Sequence, residues 1–157
     1  MRDFLIRKPQ LIDIDAMMHI EEASFPEPWT RGMLLHEIAS ILSRGWLSAY
    51  DNGMDEPSVA GYIFFWIVAG EIHLTRIAVK DAWRGRGIGS GLMQAMFHSA
   101  KQEEARRVTL EVRSSNIAAR KLYEKSGFTL AGVRPRYYEN REDAMIMCME
   151  IQGNENG

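Results

Sequence analysis

The sequence predicts a mixed α/β domain, and three observations carry that reading. Strand-like and helix-like periodicities succeed one another along 157 residues without an internal repeat. The middle of the chain holds runs of β-branched and aromatic residues joined by short turn signals. A glycine-rich segment then separates one such run from an amphipathic helix. Strands and helices do not alternate strictly, so a doubly wound parallel sheet is not expected.

The elements follow in order. Phe4 to Arg7 reads as an edge strand, and Asp13 offers an N-cap to a helix carrying Ile14, Met17, Met18 and Ile20. Phe25-Pro26-Glu27-Pro28-Trp29 is a loop, because two prolines forbid continued helix. Thr30 caps a second helix whose Met33, Leu34, Ile38 and Ile41 recur at helical spacing. Trp46 to Tyr50, Val59 to Val68 and Glu71 to Val79 read as strands, with turns at Asp51-Asn52-Gly53 and Ala69-Gly70. The helix after the glycine-rich loop runs to about Glu104. Arg107 to Val112 is a further strand, Asn116 caps a short helix, and Gly127 stops it. Phe128 to Arg134 and Ala144 to Ile151 complete the pattern as strands. Residues 1–151 are expected to form one domain, with 152–157 a disordered polar tail.

Composition excludes several classes. A net charge of −2 gives no overall basic field to hold nucleic acid or an anionic membrane. No run of about eighteen apolar residues is available to span a bilayer, and no secretory leader is expected because Arg2, Asp3, Arg7 and Lys8 interrupt any apolar stretch. One cysteine, Cys148, cannot form an internal disulfide, and its apolar surroundings make it a buried packing thiol. Those features favour the cytoplasm. His19, His36, His73 and His98 lack metal-ligand spacing, so no metal site is expected.

The segment Arg84-Gly85-Arg86-Gly87-Ile88-Gly89-Ser90-Gly91 carries the strongest chemical signal. Glycines let a backbone approach an anion closely, and free N–H groups at a helix start point towards it. Arg84 and Arg86 add donors suited to phosphate; a merely flexible basic turn has the same composition. A P-loop is excluded because no Gly-Lys-Ser/Thr occurs. A dinucleotide fingerprint fails because position 90 is serine and the loop opens the second half of the domain. A pyrophosphate ligand of another kind is the better inference.

Arg84-x-x-Gly87-x-Gly89, preceded by Leu74 to Val79, closely resembles the coenzyme A signature of the GNAT superfamily of N-acetyltransferases. The resemblance covers about Phe4 to Glu150 and implies a central, mostly antiparallel twisted sheet with flanking helices. It also implies that acetyl-CoA is the co-substrate. The amides of Arg84, Gly85, Arg86, Gly87, Ile88, Gly89 and Ser90 would hold its pyrophosphate, and Ile77, Ala78 and Val79 would pair with the pantetheine arm. Leu110 to Asn116, Leu122 to Phe128, Arg134 to Tyr138, Arg141 to Ala144 and Phe25 to Trp29 further resemble the RimI-type enzymes. Those enzymes acetylate the N-terminal alanine of a small-subunit ribosomal protein. Only Glu139 and Asn140 separate Tyr138 from Arg141, where many relatives carry a longer segment beside the acceptor.

The resemblance assigns roles that the residue types can support. Glu111 matches the catalytic glutamate and would act as general base; without the match it reads as an exposed strand carboxylate. Tyr123 matches the proton donor; without the match it is a core aromatic. A phenol of pKa about 10 stays protonated at pH 7 and can donate to a leaving thiolate. Asn116 would contact coenzyme A besides capping its helix, and the Val79 N–H would polarise the thioester carbonyl. Trp29, Tyr137 and Tyr138 are candidates for the peptide groove, with ordinary packing as the alternative. An α-amine (pKa about 7.7–8.0) is more available in its neutral form at pH 7 than lysine (about 10.4) by roughly 3.5 kcal/mol. An N-terminal acceptor therefore needs only modest activation. A small amine or a lysine side chain is the competing acceptor, and a non-catalytic acyl-CoA sensor the reading from another class.

Overall fold

The computed structural model describes residues 4–53 and 58–151; the expected tail at 152–157 lies outside the described residues. Seven strands form one sheet: β1 (Phe4–Arg7), β2 (Ser43–Tyr50), β3 (Ser58–Val68), β4 (Glu71–Val79), β5 (Arg107–Arg113), β6 (Thr129–Arg134) and β7 (Ala144–Glu150). Their spatial order is β1-β2-β3-β4-β5-β7-β6, and every neighbouring pair is antiparallel except β4–β5. The helices are α1 (Ile14–Ser24), α2 (Arg31–Ala39), α3 (Ile88–Gln102) and α4 (Ile117–Ser126). The order along the chain is the one the periodicity predicts.

Two apolar clusters cover the two faces of the sheet. Ile63, Phe65, Ile72, Leu110 and Val112 pack with Leu92, Met93 and Met96 of α3 and Tyr123 of α4. Leu47, Tyr62, Phe64 and Ala78 pack on the other face with Met17 and Ile20 of α1 and Leu34 of α2. Residues 62 to 65 of β3 thus alternate strictly between clusters, as period-two geometry requires. Ala69 and Gly70 both have positive φ (51° and 79°), the type I′ geometry that suits a two-residue hairpin.

Three local expectations change. Asp13 precedes α1, yet its carboxylate accepts from Arg7 (2.8 Å to each oxygen) and from the Gln10 N–H at 2.7 Å instead of capping. A charged donor nearby outcompetes the helix amides. In α2 only Leu34 is buried; Met33 is exposed and Ile41 lies beyond the helix end. Its spacing was helical, but the helix is too short and too peripheral to bury a broad face. Cys148 is only half-buried: its cross-strand neighbours are Thr109 and Thr129, and Arg107 lies beside its thiol, so its surroundings are not the apolar ones of the local sequence. By contrast, Thr30 and Asn116 cap as expected, accepting from the Met33 and Ala119 N–H groups.

One irregularity matters for the site. Phe65 pairs with Leu74 and Phe64 with Arg76, so Thr75 is an extra residue, a β-bulge, and its hydroxyl donates to the Phe64 carbonyl at 3.0 Å. The bulge reverses the facing of the strand beyond it. Ile72 and Leu74 face α3, whereas Arg76 and Ala78 face α1.

Candidate active site

The site opens where two parallel strands part. Pairing between β4 and β5 runs from Glu71–Arg107 to Leu74–Leu110 and goes no further. Beyond it, residues 75–79 leave their β5-side edge unpaired, a ready place for an extended ligand. Two cavities share this cleft.

The larger cavity, about 420 Å³, lies under the glycine-rich loop. Ile77, Ala78, Val79, Arg84, Gly85, Gly87, Gly89, Ser90 and Asn116 all line it, together with Leu122 and Lys125 of α4. Gly85 and Gly87 sit at φ 76° and 83°, a left-handed conformation that a side chain disfavours. Gly87 is the N-cap of α3 without a side-chain cap, so the first-turn amides have no acceptor within the helix. The loop therefore presents N–H groups to the cavity, and the helix dipole adds positive potential.

The two arginines of the motif differ: Arg84 lines the cavity and Arg86 does not. Arg84 donates to the Val79 carbonyl (3.2 Å) and the Ser24 hydroxyl (3.4 Å), and pairs with Asp81 at 3.3 Å. Arg86 stacks over the Trp83 ring, 4.9 Å from its centroid, and does not line the cavity. Trp83 in turn packs edge-on against Phe4 and Tyr50. Both guanidiniums brace the loop, and Arg84 does so from the cavity wall. Ile88 is buried in the α3 core, leaving only its backbone to face a ligand.

The smaller cavity, about 150 Å³, holds Glu111, Tyr123, Asn116 and Tyr138. Its remaining walls are Ser24 to Glu27 from the α1–α2 loop, Leu74 to Ile77, Val112, Arg113 and Ala119. Glu111 is on the face of β5 opposite Val112, with 23% of its side chain exposed and Arg134 at 3.8 Å. The Tyr137 phenol is raised from its ordinary value, first by hydrogen bonding to Glu111. Tyr123 is buried and its phenol is pushed up, chiefly by desolvation and then by Tyr138, with Arg76 opposing. It stays a proton donor throughout the neutral range.

Glu111 and Tyr123, 12 residues apart, thus share one cavity, and Asn116 borders both. Trp29 and Tyr137 line neither. Trp29 packs against Phe64 (6.0 Å between centroids), while Tyr137 stands exposed beside Glu111. Glu27, Arg76, Arg113 and Glu142 went unassigned from sequence. Arg113 pairs with Glu27 (3.2 Å) and Glu142 (3.4 Å) and lies 3.9 Å from the Tyr138 ring centre. Glu142 also accepts from the Ser115 N–H at 2.7 Å, fixing the segment after Tyr138 to the start of α4. All four lay inside motifs already singled out, which was the available signal. No group of three metal-ligating side chains occurs among the described residues, and no described helix is long and apolar enough to cross a membrane.

The family model described as Acetyltransferase (GNAT) family matches residues 14–128. A Bacillus subtilis protein, provisionally named a ribosomal protein bS18-alanine N-acetyltransferase, is 38% identical over 93% of this chain and 95% of its own length. The Escherichia coli ribosomal protein bS18-alanine N-acetyltransferase is 32% identical over 88% of this chain and 92% of its own. The crystal structure of the Escherichia coli ribosomal-protein-S18-alanine N-acetyltransferase superposes with a TM-score of 0.84 at 29% identity, covering 99% of both chains. The sheet that parts between β4 and β5, the glycine loop below it and these likenesses agree: the chain is an N-acetyltransferase and belongs to the GNAT family.

Proposed function

We propose that this acetyltransferase carries the acetyl group of acetyl-CoA to the α-amine of a protein N-terminus, alanine of a small-subunit ribosomal protein being the expected acceptor. The observation that carries the reading is the shared cavity of Glu111 and Tyr123, which adjoins the amide-lined cavity under the glycine loop. The loop amides of residues 85–90 suit a pyrophosphate, and the unpaired edge at Ile77 to Val79 suits an extended arm bearing amides. Acetyl-CoA supplies the activated thioester.

Glu111 takes a proton from the attacking amine, directly or through one water. The N–H of Val79 polarises the acyl carbonyl. Tyr123 gives its phenolic proton to the departing thiolate as the carbon–sulfur bond breaks and the carbon–nitrogen bond forms. Burial keeps that proton in place until then.

Charge supports a peptide acceptor. The smaller cavity is lined by Glu27 and Glu111 against Arg76 and Arg113, two charges of each sign. A polycationic amine would call for an excess of carboxylates. A ribosomal acceptor also agrees with the reducing, cytoplasmic setting expected for a chain with one cysteine. Small-subunit ribosomal proteins, incubated with the enzyme and labelled acetyl-CoA and then digested, provide the test. Label on the N-terminal peptide of one protein is expected; label confined to internal lysines refutes the acceptor assignment.

A further inference from the structure

The smaller cavity contains a cation that the chemistry above does not use. Arg76 lines it with only 15% of its side chain exposed, and its partner Glu21 in α1 has no exposure. A buried carboxylate persists only with its lone pairs satisfied. Glu21 accepts from Arg76 Nη2 at 2.6 Å, from Arg76 Nε, from the backbone N–H of Trp29 at 2.8 Å, and from the Tyr62 phenol. Burial, then Glu21, raise Tyr62, so the phenol remains a donor.

These contacts converge on one segment. Arg76 Nη2 also donates to the Glu27 carbonyl at 3.2 Å, and the guanidinium carbon sits 3.5 Å from the Phe25 ring centre and 4.9 Å from that of Trp29. The α1–α2 loop is thereby held at Phe25, Glu27 and Trp29 by one ion pair. Pro26 and Pro28 deny that loop two backbone donors of its own. It nevertheless supplies Ser24 to Glu27 to the cavity wall, and Glu27 reaches across the cleft to Arg113 at 3.2 Å. The Thr75 bulge is what turns Arg76 towards α1; in regular alternation it would share a face with Leu74.

We propose that Glu21 and Arg76 are positioning residues for the acceptor: their ion pair sets the Phe25–Trp29 wall and so governs acceptor affinity. The proposal rests on the reading of this cavity as the acceptor site. Either single charge deletion strands a buried ion, so the test uses two other variants. Glu21→Gln combined with Arg76→Met removes both charges at similar volume, an exchange that buried pairs commonly tolerate. Arg76→Lys keeps the charge but loses the fork that grips Glu21 and Glu27 together.

Steady-state constants are measured for acceptor peptide and acetyl-CoA separately, with melting temperature alongside. The double variant is expected to raise the acceptor KM about 10- to 100-fold, the cost of a displaced positioning wall. Its KM for acetyl-CoA should rise far less, by about threefold at most, since of that wall only Phe25 also lines the coenzyme cavity. Arg76→Lys should fall between the two. An unchanged acceptor KM in the folded double variant overturns the proposal, as does a parallel rise of both KM values. If the double variant does not fold, Arg76→Lys decides: a wild-type acceptor KM overturns the proposal. Wild type is first assayed on an α-amine and a lysine amine. Preference for lysine overturns the proposed acceptor instead, and the same KM comparison on lysine still tests the ion pair.

Discussion

The two cavities of the cleft are walled by different materials. Under the glycine loop the walls centre on residues 77–79 and the glycine-bearing stretch 84–90, closed by Ser24, Phe25 and residues 116–125 of α4 and its cap. The smaller cavity, lined by 24–27, 74–77, 111–123 and Tyr138, gathers four charged side chains, Glu27, Arg76, Glu111 and Arg113, and two phenols. A backbone-built site depends on conformation and tolerates most changes of side chain except at glycine. A side-chain-built site tolerates backbone adjustment but fails when one functional group is exchanged. Substitutions should therefore separate the two cavities cleanly.

The largest effect is expected from the smallest chemical change in the side-chain cavity. Tyr123→Phe removes one hydroxyl from a ring that is buried among its neighbours. Turnover should fall about 10²–10⁴-fold with coenzyme affinity retained, as for a positioned acid. Single-turnover rates and calorimetry check it; turnover within about twofold would make Tyr123 a packing residue. Because burial raises its pKa, wild-type turnover should show no loss of this donor as pH rises to about 10, the ordinary tyrosine value.

Glu111→Gln should come next, with a loss of about 10²-fold near pH 6.5 that shrinks as pH rises past the acceptor's own pKa of about 8. The sign follows from the acceptor: below its pKa the amine is protonated and needs a base, above it much less so. A pH-independent loss would assign Glu111 a different role.

In the other cavity, Gly87→Val should weaken coenzyme binding at least about tenfold, since a β-branched residue at φ 83° is strained by more than about 1 kcal/mol. No atom lies within 4 Å of a Cβ placed there, so the strain is conformational and the fold should persist. Calorimetry showing wild-type affinity would remove the loop from the coenzyme site.

The smallest effect concerns the seam between the two halves of the cleft. Hydrogen bonds from Ser115, first of all, lower Glu142 from 4.5 to about 2. A depressed carboxylate stabilises the fold above its unfolded pKa, and the contribution fades as pH falls through the folded one. The gap in stability between wild type and Glu142→Gln should thus be constant above pH 4.5 and close between 4.5 and about 2. Denaturant titrations across that window check it, and a gap that widens on acidification contradicts it.

The same contrast in materials governs what the sequence reveals. Element order, the caps at Thr30 and Asn116, and the Ala69-Gly70 turn were legible because each is written in a few adjacent residues. So was the loop, whose glycines announce left-handed backbone. The smaller cavity was legible only where resemblance named its residues, Glu111, Tyr123, Asn116 and Tyr138 among them. Arg76 was hidden because a one-residue bulge at Thr75 reverses its face, and no periodicity encodes that slip. Asp13 misled because a tertiary partner, Arg7, claimed the carboxylate that a local rule reserved for the helix. Arg84 and Arg86 carry contacts that charge beside a phosphate loop does not announce: Arg84 pairs with Asp81 and Arg86 stacks on Trp83.

The central claim is that the acceptor is an α-amine, held in a cavity with balanced charge. A peptide beginning with alanine and carrying one internal lysine, reacted with enzyme and labelled acetyl-CoA and sequenced by tandem mass spectrometry, tests it most directly. Label is expected on the α-nitrogen of the first residue, with the lysine largely unmodified near pH 7. Label mainly on the lysine side chain would contradict it.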